Sequence, residues 1–174
     1  MATQAESSVL LPQPQVQRIA TPYRRGIVAG LYGAAAIALW FFAIDTSLRR
    51  PLYTPTVLGM ALFQRGTGLE QLATVKPSIQ MTLMFSVVHC TVFIVLGIAV
   101  ARLLVERRPN LWMSILLLFV VVQFGFLAFG MTFAALTVDA LGMQQVVIGN
   151  VLAAIAMAGY LWWHAPAAAT TSQS

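Results

Sequence analysis

The hydrophobic positions of this chain form four long runs separated by short polar segments. The runs cover about residues 26–48, 79–105, 111–138 and 145–163. Because an α-helix rises 1.5 Å per residue, about 20 mainly apolar residues cross a hydrocarbon core of roughly 30 Å. None of the runs alternates apolar and polar residues as the strands of a membrane barrel do. The pattern predicts an all-α integral membrane protein, a bundle of four spanning helices.

A fifth apolar segment, about residues 55–64, lies in the connection between the first two runs. Pro55 is favourable in the first turn of a helix, and Gly66 can end one. The segment is too short to span and too apolar to stay in water, so we expect an interfacial or partly re-entrant helix at one end of the bundle. Two roles remain open: it caps the bundle, or it takes part in gating or docking.

Composition supports a membrane protein, because 59% of the residues are apolar and only 9% are charged, against about 25% charged residues in soluble domains. The transmembrane domain is predicted over residues 26–165. The polar residues 1–25 predict a flexible arm, and residues 166–174 predict a flexible tail. The first run follows a basic pair and is long enough to span, so we expect it to be kept rather than cleaved as a signal.

The basic residues favour an orientation with both termini in the cytoplasm, since positive charge accumulates on that side. The side of the termini carries Arg18, Arg24, Arg25, Arg102, Arg107 and Arg108, and the other side carries Arg49, Arg50, Arg65 and Lys76. These residues form small groups at helix ends rather than one basic face. Membrane lipids are therefore expected as partners, and nucleic acid is not.

Small residues recur at helical spacing in two of the runs and predict helix contacts, because helices in lipid approach closely through such residues. The first run has Gly26, Gly30, Ala34 and Ala38, and the fourth has Gly149 and Ala153. In the second run, Thr82, Ser86, His89, Cys90 and Gly97 share a face that should point inward.

Polar groups inside a span are costly in hydrocarbon, so each is a candidate functional residue. His89 and Gln123 fall near the middle of their runs and are expected to hydrogen-bond to each other across two helices. Asp45, Asn150 and Asp139 come from three helix ends at the other side. They are expected to sit in water or to pair with cations such as Arg49, Arg50 or Lys76. The alternative is a small polar vestibule that holds a ligand, with Asp45 as its ionic contact.

His89 admits three interpretations. It orders the bundle through its hydrogen bond, it carries protons with Asp45 as the nearest titratable group, or it binds haem together with a methionine. His164 lies at the opposite end of its run, so the two histidines cannot hold one haem. Adjacent helix residues point about 100° apart, so Cys90 does not form a metal pair with His89 and is expected in the core. No metal site is predicted.

Three stretches, WFFAIDTSLRRPLYTPTVLGMALF, VVHCTVFIVLGIAVARLL and IGNVLAAIAMAGYLWWHAP, resemble small bacterial inner-membrane proteins that have four predicted spans and no assigned activity. The resemblance implies a bacterial cytoplasmic (inner) membrane setting. It implies no reaction and assigns no catalytic residue.

The chain lacks the motifs of metalloproteases, kinases, P-loop proteins and hydrolases. We therefore expect a non-enzymatic accessory or scaffold subunit, in a homo-oligomer or a larger membrane complex. The first alternative is a small oligomeric transporter or permeation unit in which His89, Gln123 and Asp45 line water. The second is a haem-associated or redox membrane subunit that uses His89, haem being the one cofactor considered.

Overall fold

The computed structural model describes residues 16–65, 67, 69, 74–107, 110–133 and 142–164. Over these residues the chain forms five helices and no strand. The helices are α1 (Val16–Ser47), α2 (Tyr53–Phe63), α3 (Ile79–Arg107), α4 (Leu111–Phe133) and α5 (Met143–Trp163). Four of them contain stretches long and apolar enough to cross a membrane. The predicted all-α membrane bundle is confirmed, and the chain is a multi-pass membrane protein.

The helix ends differ from the predicted spans in ways that hydropathy does not encode. Helix α1 begins at Val16 rather than at residue 26, so residues 16–25, assigned above to the flexible arm, are helical. A helix satisfies its own backbone hydrogen bonds and can continue past the apolar stretch into polar surroundings. Residues 1–15 of the arm, residues 134–138 of the third predicted span, Asp139 and the tail 166–174 lie outside the described residues.

The helices pack as a row with α1 and α5 in its middle. Helix α1 packs against α3 and α5, and α5 also packs against α4, so the order across the row is α3, α1, α5, α4. Within the described part of the chain, α3 and α4 are not a closely packed pair. Successive spanning helices run in opposite directions. We call the end where α1 stops and α3 and α5 start the α2 end, because α2 lies there.

Three glycines bring the backbones of α1 and α3 into contact. A Cβ atom on Gly26 would lie 2.7 Å from the backbone nitrogen of Ile98, and one on Gly97 would lie 2.7 Å from that of Gly30. Real Cβ atoms do not approach backbone this closely, so only glycine fits these positions. Ala34 continues this contact and is 2% exposed. Ala38, predicted to extend the same stripe, is instead exposed and lines a cavity.

The α1–α5 contact combines small residues with one aromatic anchor. Ala153, Ala154 and Ala158 of α5 are buried in the main apolar core. Nearer the α2 end, the indole Nε1 of Trp40 donates to the backbone oxygen of Gln145 at 3.0 Å. The same indole lies 3.1 Å from where a Cβ on Gly149 would stand. Gly149 therefore leaves room for the tryptophan that connects α1 to the start of α5.

Helix α2 packs against α3 and, more lightly, against α1. It begins at Tyr53, two residues before the predicted start at Pro55. Val57 and Ala61 are fully buried and form a small apolar cluster with Leu69. A Cβ on Gly59 would lie 2.6 Å from the backbone oxygen of Met81, so α2 rests directly on the first turns of α3. The short apolar segment is a helix packed onto one end of the bundle.

Candidate functional site

A cavity of about 620 Å³ lies at the α2 end, between α1, α3, α4 and α5 and under α2. Ligand pockets in proteins range over roughly 300–1,000 Å³, so the space is large enough for a small molecule or a lipid chain. Most of its wall is Leu, Ile, Val and Phe. The polar residues in the wall are Asp45, Thr54, Thr82, Ser86, His89 and Asn150.

The turn between α1 and α2 places Asp45 beside the cavity. Arg49 adopts a left-handed backbone conformation (φ 58°), and the Arg50 N–H donates to the Asp45 backbone oxygen at 2.8 Å. This is the hydrogen-bond pattern with which helices commonly end, although glycine usually occupies the left-handed position. Leu52 is left-handed as well (φ 65°) and turns the chain back over the end of α1.

The Asp45 carboxyl caps the start of α2. Its two oxygens accept hydrogen bonds from the backbone N–H and the hydroxyl of Thr54, both at 2.8 Å. The first N–H groups of a helix have no partner within the helix, so a carboxyl from α1 satisfies groups that would otherwise be orphaned. The expectation that Asp45 sits in water or pairs with surface cations is wrong, because Asp45 is 2% exposed and bonded to Thr54.

A second polar group joins α2 to the start of α3. The Thr56 hydroxyl accepts from the Ser78 N–H at 2.9 Å and donates to the Leu52 backbone oxygen at 2.7 Å. The Thr82 hydroxyl lies 3.3 Å from the Thr56 hydroxyl. The Thr56 hydroxyl also lies 3.4 Å from the Ser78 backbone oxygen, and either threonine can be the donor between the two hydroxyls. The cover of the cavity is therefore hydrogen-bonded to both α1 and α3.

His89 reaches α1 rather than α4. Its Nε2 lies 3.3 Å from the backbone oxygen of Ala34, and its ring lies between the rings of Phe85 and Phe93, with centroid distances of 5.6 and 4.8 Å. The predicted hydrogen bond to Gln123 is wrong, because α3 and α4 stand at opposite ends of the packed row. His89 faces the cavity, as expected for the inward side of α3.

Gln123 pairs with Asn150 instead. The Asn150 side-chain nitrogen donates to Gln123 Oε1 at 2.8 Å, and Asn150 is 4% exposed. This bond joins α4 to α5, which are packed neighbours. Asn150 lines the same cavity as Asp45, but each has its own partner. The two residues therefore share a cavity wall without forming one ionic cluster.

The cavity is open on a side formed by exposed residues of α1, α3 and α4, and Leu39 of α1, which lines it, is 68% exposed. Val92 of α3 and Val121 of α4 both line it and are 57% and 41% exposed. Among the described residues no close packing joins these two helices. Their apolar exposed surfaces are the ones that lipid covers in a membrane. A molecule dissolved in the bilayer could therefore enter from the side.

Sequence reasoning missed Thr54 and the connecting role of Thr56. The position of Thr54 just before Pro55 indicates a helix start, where backbone N–H groups need an acceptor from elsewhere in the chain. The intramembrane carboxyl that meets it was identified, but its partner was not. Ser86 was placed on the inward face, and its hydroxyl donates to the Thr82 backbone oxygen at 2.7 Å.

The described residues include no group of three His, Cys, Asp or Glu side chains that could hold a metal ion. Cys90 is partly buried against the main apolar core, in agreement with a packing role. His164 is exposed at the end opposite α2, where its Nδ1 lies 2.9 Å from the Tyr160 backbone oxygen. Haem binding by His89 stays a prediction.

Compared with known proteins, the chain matches no family model, no curated protein and no solved structure.

Proposed function

We propose that this protein is a non-enzymatic accessory subunit of a complex in a bacterial inner membrane, and that it holds a hydrophobic molecule in the cavity between α1, α3, α4 and α5. The observation that carries the proposal is the cavity itself. Its wall is mainly apolar, its volume suits a small ligand, and its opening faces the surface that lipid covers. Water-soluble substrates have little to bind in such a wall, whereas burial of apolar ligand surface is favourable.

The proposed orientation places both termini in the cytoplasm and the cavity in the outer half of the bilayer. The support for this orientation is the positive-inside count. A contact at the end opposite α2 marks that end as one of the two membrane interfaces. There the Arg102 guanidinium donates to the Tyr23 hydroxyl and lies 4.4 Å from the centre of that ring. Such a pair of Arg and Tyr fits the interface between lipid and water, where aromatic residues anchor helix ends.

The test is photolabelling of the purified protein in lipid nanodiscs with a long-chain alcohol that carries a diazirine in its chain. We expect labelled peptides from the facing walls of α3 and α4, around Phe85 and Val121. Gly125→Phe should reduce that labelling, because Gly125 lines the cavity and the position its Cβ would take is open, so a phenyl ring can occupy the space.

Gly159→Phe is the matched control. Its Cβ position is open as well, but Gly159 is not part of the cavity wall. Labelling should therefore be the same as in the original protein. Equal labelling of all lipid-facing helix surfaces, unaltered by Gly125→Phe, would contradict the proposal.

The accessory role requires a partner, either further copies of this chain or a larger membrane complex. Purification from the native membrane in a mild detergent, followed by mass measurement of the intact assembly, tests this. A stoichiometric partner or a defined homo-oligomer is the expected result. A monomer without any companion would argue against an accessory subunit and leave the ligand test unaffected.

A permeation unit is the second candidate, and the one observation in its favour is that His89 and Asp45 line the same cavity. Toward the opposite end, the space gives way to buried apolar residues that include Val100 and Leu118. Reconstitution in liposomes separates the two functions. Solute or ion flux that His89→Ala abolishes would favour permeation over ligand holding.

A further inference from the structure

The polar residues of α3 that line the cavity lie in the half of the α3 wall nearer α2. Along α3, Thr82, Ser86 and His89 come first, and the wall beyond them, through Phe93 to Leu96, is apolar. Thr82 and Leu96 are fourteen residues apart in one helix, a distance of about 21 Å along the axis. The α3 wall thus extends along the membrane normal, with its polar residues in the half nearer α2 and only apolar residues in the other half. This shape matches a single chain with a small polar head.

The charge of the wall limits the kind of head group. Among the described residues that line the cavity there is no Lys or Arg, and the acidic residue is Asp45. A phosphate or a carboxylate placed here would lose water and gain no counter-charge, which is strongly unfavourable in an apolar site. The head group that fits the wall is therefore uncharged.

The hydrogen bonds of the α3 side chains determine whether they can still bind a donor or an acceptor of a ligand. The Ser86 hydroxyl donates to the Thr82 backbone oxygen at 2.7 Å. A backbone oxygen can only accept, so His89 Nε2 carries the proton in its contact with Ala34. In the neutral ring this leaves Nδ1 as an acceptor. Ser86 and His89 have therefore used their donors inside the protein and have acceptors left.

We infer that the ligand is an uncharged single-chain amphiphile whose head carries a hydroxyl group, with the head beside Ser86 and His89 and the chain extending toward Leu96. This inference rests on the proposed function and makes it more specific. The hydroxyl would donate to the acceptors that α3 presents, and the chain would replace lipid contacts along the apolar wall.

The experiment is competition against the photoreactive alcohol by three compounds of equal chain length: an alcohol, its methyl ether and a carboxylate. The alcohol should compete about tenfold better than the ether, the ratio for one hydrogen bond gained, because the ether cannot donate. The carboxylate should be the weakest, since it brings a negative charge to a wall that has no cation.

Ser86→Ala should reduce the advantage of the alcohol over the ether, while binding of the ether stays unchanged and shows that the cavity is intact. Thr91→Ala is the matched control, because the Thr91 hydroxyl makes the same bond to its own helix, with Val87, but is exposed outside the cavity. That variant should keep the full advantage.

The outcomes separate the two proposals. Equal competition by all three compounds, or strongest competition by the carboxylate, would overturn the hydroxyl inference while cavity binding stands. An advantage of the alcohol that survives Ser86→Ala and His89→Phe alike would also overturn it. Failure of the probe to label the cavity at all would remove the proposed function itself.

Discussion

At the scale of single residues, the buried polar side chains of the described spanning helices have hydrogen-bond partners. A carboxyl at a helix end is ordinarily hydrated, and surface pairs contribute little. Asp45 differs because the turn at residues 48–52 brings the N-terminus of α2 back onto it. Its oxygens replace water for N–H groups that have no other acceptor. The residue thereby determines where α2 sits.

Asp45→Ala should lower the free energy of unfolding by about 1.5–3 kcal/mol, the range for hydrogen bonds that involve a charged group. The physical reason is that the Thr54 N–H and hydroxyl would remain buried without an acceptor. Unfolding in mixed detergent micelles measures the difference. Thr46→Ala, at the exposed neighbouring residue, should leave the stability nearly unchanged. An equal loss in both variants would count against the cap.

The bond between Asn150 and Gln123 should appear as coupling in a double-mutant cycle. Alanine at both positions should cost less than the sum of the single changes, with a coupling of about 0.6–1.7 kcal/mol, as measured for bonds between membrane helices. The same cycle between Gln123 and the exposed Gln144 should be additive. Additivity in both cycles would show that the Asn150 amide does not stabilise the α4–α5 contact.

At the scale of elements, the α1–α3 contact depends on glycine at three positions where two backbones meet. Apolar surface alone cannot hold helices together in lipid, since lipid is equally apolar. Close approach supplies dispersion contacts along the backbone instead. The small residues Gly26, Gly30 and Gly97 predict this contact from the sequence. The same pattern also predicts a contact at Ala38, where the structure has the cavity instead.

Gly97→Ala and Gly30→Ile should lower the melting temperature in detergent, the second more than the first. A Cβ at either position would meet backbone atoms of the other helix within 2.7 Å. Gly159→Ala is the control for helix propensity, because its Cβ would meet nothing within 4 Å. There the gain of up to about 1 kcal/mol for alanine over glycine should maintain or raise stability. A melting temperature for Gly97→Ala equal to that of Gly159→Ala would disprove the contact.

At the scale of the whole molecule, the cavity follows from the packing order. A row of α3, α1, α5 and α4 does not close on itself at the α2 end, and the space between its outer members remains. Helix α2 covers that space from above, held by Asp45 on one side and by Thr82 on the other. The cavity is therefore a property of the assembled bundle rather than of any one helix.

The proposed orientation predicts opposite accessibility for the two ends. In a Cys90→Ser background, Lys76→Cys should react with a membrane-impermeant maleimide added outside intact cells. His164→Cys should react only after the membrane is opened. Both residues are exposed and belong to opposite ends of the bundle. The reverse labelling pattern would invert the topology and place the cavity in the inner half of the bilayer.

The four spanning helices and the short fifth helix could be predicted from the sequence, because bilayer thickness sets the length of apolar chain that must be covered. The depth of a residue in the membrane follows from its position within an apolar run. This position predicts Asp45, His89, Gln123 and Asn150 as intramembrane polar groups. The glycines of α1 and α3 also predicted the contact between these helices, because glycine at helical spacing allows two backbones to approach closely.

Which polar group meets which was decided by the tertiary structure alone. His89 and Gln123 lie at similar depths, yet they belong to the two helices at opposite ends of the row, so one binds Ala34 and the other Asn150. Hydropathy reports how deep a residue lies but not the order in which helices pack around each other. That order depends on the fit of whole helix surfaces, and it also created the cavity.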